Sequence, residues 1–119
     1  APGADWIVEG LAEYYSLETL RRSGTISAQR FEQAHRDLAV WALEGEALDA
    51  ASSSGPTTAR AVGVLRRLDA EIRALSAGKA SLDDVVRQLA ADRAPVSVDR
   101  FRALATGVAG ASLSTLEQL

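Results

Sequence analysis

VGVLRRLDAEIRALSAG (residues 62–78), with SLDD (residues 81–84) just beyond it, settles the structural class of this chain. Val62, Leu65, Leu68, Ile72 and Leu75 recur at three- and four-residue steps. That period lines one face of an α-helix and no face of a strand. Asp69 and Arg73 are spaced to pair across one turn in the favourable acid-first order. Gly78 predicts the stop. Ser81, with Asp84 three residues on, predicts a capping box and a new helix burying Leu82, Val85, Val86 and Leu89.

The same grammar extends in both directions. Toward the N-terminus a helix is predicted over residues 5–22, with Asp5 as N-cap, Glu9 near the positive end of the dipole, and Arg21 and Arg22 before Gly24. Ser27 caps a second helix, whose stripe Phe31, Ala34, Leu38, Trp41 and Leu48 carries it to about Ala51 and places Trp41 in the core. Ser52, Ser53, Ser54, Gly55 and Pro56 read as a loop, so the third helix is expected to begin at Thr57 or Thr58. Toward the C-terminus Pro95 breaks the chain, and Ser97 caps a helix through Phe101, Leu104 and Val108 that ends at Gly107 or Gly110. Ser114 and Glu117 read as a capping-box pair on a short last helix. The expectation is an all-α fold, an orthogonal array of five or six helices without a sheet, forming one domain over residues 1–119.

Composition narrows the function. With 119 residues, 47% hydrophobic and 24% charged, the chain has the balance of a globular domain rather than a disordered one. No apolar run approaches the ~20 residues of a membrane span. A net charge of −3 argues against a nucleic-acid or anionic-membrane surface. Without cysteine there is neither a disulfide framework nor a thiolate metal site. The chain opens Ala-Pro-Gly-Ala-Asp and contains no Met, which leads us to expect a piece of a longer protein.

The first helix carries the chemistry. Asp5, Trp6, Glu9, Glu13 and Ser16 share one side, with Ile7, Leu11, Tyr14 and Leu20 on the other. On spacing alone, a solvated acidic face accounts for the carboxylates. The string WIVEGLAEYY (residues 6–15), however, resembles the Trp-x-x-Glu-Gly-x-x-x-Tyr segment of gluzincin metallopeptidases. In that clan an upstream helix bears His-Glu-x-x-His, and the later Glu completes a zinc site that keeps one position open for water. The resemblance continues in LDAEIR (residues 68–73), in GKASLDDV (residues 78–85), and in VSVDRF (residues 96–101) with GASL (residues 110–113). Taken in order, these segments resemble the C-terminal helical part of the glycyl aminopeptidase family.

The resemblance implies a set of roles. Glu9 takes the position of the third zinc ligand, and Glu13, one turn on, that of an acid orienting a zinc-bound histidine. Trp6, Thr58 and Arg60 fall at the substrate pocket. It implies zinc and a peptide substrate for an intact parent, with the His-Glu-x-x-His half lying upstream. It implies neither zinc nor turnover for this chain alone, whose single histidine is His35. Thr58, Arg60 and Ala61 occupy the positions of the family's Tyr-x-Lys-Gly. A threonine hydroxyl cannot reach where a phenol would donate to the oxyanion. Because such a donor is commonly worth about 2–4 kcal/mol, an impaired parent is implied.

Two further expectations complete the reading. A fragment parted from its neighbour leaves Trp6 uncovered, which predicts a homodimer through the first helix. The alternative function is a helical protein–protein interaction module without catalysis. A helix-turn-helix over the fourth and fifth helices would have only Arg100 and Arg102 as readers, thin support for a nucleic-acid partner.

Overall fold

The computed structural model describes residues 3–44, 48 and 55–119. Among these residues there are six helices and no strand, so the chain is all-α: α1 (Asp5–Arg22), α2 (Ala28–Ala42), α3 (Gly55–Leu75), α4 (Leu82–Ala91), α5 (Val98–Ala109) and α6 (Ser114–Glu117). None of them is long and apolar enough to cross a membrane. The chain divides into two compact units, Pro2–Gly63 and Val64–Leu119, with α3 contributing residues to both.

In the first unit, α1 packs against α2. Ser27 caps α2 as expected, its hydroxyl accepting from the Arg30 amide at 3.1 Å. Asp5 is not the N-cap of α1. Ala4 holds that position without a side-chain bond, and Asp5, already helical, serves the dipole from the first turn. Helix α2 stops at Ala42 rather than near Ala51. Leu43 and Glu44 donate to Val40 and Trp41, three residues back, and this tightening closes the helix. Leu48, expected on the α2 stripe, is a buried turn residue. The predicted loop at Ser52, Ser53 and Ser54 lies outside the described residues. Gly55 and Pro56 open α3 instead, because the first turn of a helix has no use for the amide that proline lacks.

The second unit follows the sequence closely. Asp69 accepts from Arg73 Nε through one oxygen and from the Leu82 amide through the other, both at 2.9 Å. One carboxylate thus stabilises the surface of α3 and the start of α4. Ser81 and Asp84 form the full capping box. Ser97 caps α5, and Gly110, at φ 73°, ends it in a left-handed turn that a side chain resists. Helices α4 and α5 pack together over Leu82, Val85, Phe101 and Ala105.

The last helix departs from its prediction. Ser114 and Glu117 make no capping box. Leu113 is the N-cap, and Glu71, on α3, accepts from the Ser114 amide and hydroxyl at 2.8 Å and from the Thr115 amide at 2.9 Å. A carboxylate with two acceptor oxygens serves three donors where the local serine would serve one.

Candidate functional site

The first unit contains an open cleft of about 330 Å³ between α1, the end of α2 and the start of α3. Glu9 and Glu13 line one wall, Leu38 and Trp41 a second, and Gly55, Thr58 and Ala59 the third. Thr58 Oγ1 donates to Glu9 Oε2 at 3.3 Å across 49 positions of chain. A second cavity of about 270 Å³ adjoins it and shares Glu13, Leu38 and Trp41.

Local sequence explains this placement. Glu9 and Glu13 are one turn apart on an exposed stretch of α1 and so face the same way. Their like charges at this spacing cost the helix a few tenths of a kcal/mol. Gly55 matters for a different reason. A Cβ built there would lie 2.5 Å from Cη2 and Cζ2 of Trp41, so a side chain at this position would push the exposed indole off the first turn of α3.

Of the residues expected at the site, three come together and two do not. Glu9, Glu13 and Thr58 meet at the cleft. Trp6 does not line it: at 2% exposure it is in the core, with Ile7, Gly10 and Tyr14. Trp6 is therefore not the uncovered residue that the dimer expectation invoked; the exposed large apolar residues of α1 are Val8 and Leu20. Arg60 is exposed on α3 and is not among the cleft residues. Conversely, Trp41 was expected in the core and is 47% exposed, forming a wall of both cavities. The two tryptophans exchange roles because periodicity gives the phase of a stripe but not what covers it. Trp41, Leu38 and Asp37 were missed as lining residues. The available signal was the meeting of acidic Asp37 with the apolar stripe at the end of α2.

Histidine chemistry lies elsewhere. His35 is buried on α2, with its ring edge-on to Phe31 at 4.6 Å. Among the described residues, no three His, Cys, Asp or Glu side chains group to hold a metal. The donor set at the cleft is two carboxylates, which leaves a tetrahedral zinc site incomplete. Tyr14 is buried and packs edge-on against Tyr15 at 5.0 Å, while Arg22 lies 5.8 Å from the Tyr15 ring centre. Comparison with family models, curated proteins and solved structures yields no match.

Proposed function

We propose that this chain is the C-terminal helical part of a zinc-metallopeptidase-like protein of the gluzincin type, resembling the glycyl aminopeptidases, with Glu9 as the carboxylate ligand. The observation that carries the reading is the meeting of Glu9 and Thr58. One residue falls at the ligand position of the motif and the other at the position of the oxyanion-stabilising tyrosine. They lie 49 positions apart, yet are hydrogen-bonded at one open cleft. A carboxylate that is to share a metal with groups from outside the chain must stay accessible, as Glu9 is. Glu13 would orient a histidine ligand from one turn away. The two imidazoles come from a His-Glu-x-x-His helix outside this chain, because the donors at the cleft supply only carboxylate.

The coding sequence upstream of Glu9 should contain His-Glu-x-x-His. In the longer protein, Glu9→Gln should sharply lower zinc per folded chain, Glu13→Gln should lower it less, and Thr58→Tyr should raise turnover on a peptide panel with zinc unchanged. Unaltered zinc in Glu9→Gln removes the reading.

A further inference from the structure

We propose that the trough between α1 and α2 docks a basic amphipathic segment of a partner polypeptide, with an apolar side chain set against Leu38 and Trp41 and arginine or lysine side chains reaching Glu13 and Asp37. The two cavities, about 270 and 330 Å³, share Glu13, Leu38 and Trp41 and so lie side by side along the trough. Its floor is apolar. Among the described residues its lining includes three carboxylates, Glu9, Glu13 and Asp37, and no arginine, lysine or histidine. An occupant of complementary charge is cationic.

Two acids elsewhere, on α1 and α3, each have a cation one turn on. Glu18 pairs with Arg22, and Asp69 with Arg73, each one turn apart at 2.9 Å. In the trough the pattern changes: the residue one turn after Glu9 is Glu13, and the one before Asp37 is Gln33, whose amide donates to it at 2.8 Å. Arg36 reaches only the other end of that amide, donating to Gln33 Oε1 at 2.9 Å. Among the described residues the carboxylates thus stand without a direct ion pair, beside an aromatic ring that is 47% exposed. Tryptophan is among the residues that most often concentrate binding energy at protein interfaces, and the rim around such anchors is polar. The scale also fits a polypeptide. Glu9 and Leu17, at the two ends of the α1 wall, are about 12 Å apart along the helix, the rise of roughly two turns of a docked helix.

The inference shares Glu9 and Glu13 with the zinc reading but does not rest on it, since it needs no metal. Peptide binding is read in EDTA on this chain, and the zinc reading by metal content of the longer protein. The test is titration of the full 119-residue chain, in EDTA, with a synthetic helical peptide bearing leucines on one face and arginines one turn apart beside them, read by calorimetry and amide chemical shifts. Matched peptides with glutamine or glutamate in place of arginine serve as comparisons. The arginine peptide should bind, with shifts along α1 and α2, and weaken steeply with salt. Glu13→Gln and Asp37→Asn should each weaken it several-fold, and Trp41→Ala about tenfold. Glu117→Gln, on α6, should leave it unchanged, and circular dichroism should confirm that every variant is helical. No binding by the arginine peptide, equal binding by the glutamine peptide, or indifference to both Glu13→Gln and Asp37→Asn would overturn the proposal.

Discussion

Glu71 shows how one residue can do work that its sequence neighbourhood does not announce. It sits on the α3 surface, two residues after Asp69, and reads as one more solvated acid. Instead its carboxylate takes three hydrogen bonds from the first turn of α6. The backbone hydrogen bond from Thr115, foremost, holds its pKa down at about 2 from 4.5, with the Ser114 bonds helping and partial desolvation opposing. A carboxylate whose folded pKa is depressed stabilises the fold above its unfolded pKa, and that stabilisation is lost as pH falls through the folded value. Water screens a site this close to the surface, so the appropriate scale is that of a capping interaction, about 1 kcal/mol. Glu71→Ala should therefore lower stability by about 1 kcal/mol in urea denaturation at neutral pH. Its difference from the parent should shrink between pH 4.5 and pH 2. A difference of the same size at pH 2 would assign the loss to packing instead.

At the scale of elements, α5 and its C-cap hold two exposed glycines, Gly107 and Gly110, whose replacement should have opposite signs. Gly107 lies inside the helix with open space where a Cβ would go. Gly107→Ala removes freedom from the unfolded chain and should stabilise by about 0.5–1 kcal/mol. Gly110 is equally uncrowded but sits at φ 73°. Gly110→Ala must hold alanine in a left-handed conformation and should cost about 1 kcal/mol. Thermal melts of both variants check the pair, since surroundings this empty leave backbone conformation as the only difference. Helix α4 offers a third measurement. Ser81→Ala removes the serine half of the capping box and should cost about 1 kcal/mol by urea denaturation. These features were legible beforehand because each depends on a few consecutive residues. The α6 cap was not, because the acceptor that wins lies 43 positions away from the serine it serves.

At the scale of the whole molecule, few large side chains carry the interior. Ile72, Leu68, Leu82 and Val85 are fully buried in the second unit, with Phe101 beside them at 1% exposure. With alanine and glycine common and aromatics only 5% of the chain, each large aliphatic supplies a substantial share of the buried apolar area. Ile72→Ala should cost about 2–5 kcal/mol, a large part of the 5–15 kcal/mol typical of a domain. The expected observation is a denaturation midpoint shifted strongly downward with the slope kept. Leu75→Ala is the comparison: the last residue of the same stripe is 46% exposed and should cost well under half as much.

What the sequence by itself determined was the type of each element and most of its ends. The 3.6-residue recurrence in Val62 to Leu75 and the serines at 27, 81 and 97 act through bonds and dihedral angles within a turn or two, so no tertiary partner is needed to read them. The end of α5 is legible only as Gly107 or Gly110, and it falls at Gly110. The acids of the cleft were also legible, as a pair one turn apart on α1. Only the tertiary structure decided which tryptophan is covered, what caps α6, and that Thr58 reaches Glu9. A helical stripe is equally apolar whether another helix lies on it or water does, and burial is settled by surfaces brought together from distant parts of the chain. Trp6 entered the core and Trp41 became a wall of the trough for that reason, with Gly55 leaving open the space that the Trp41 ring occupies.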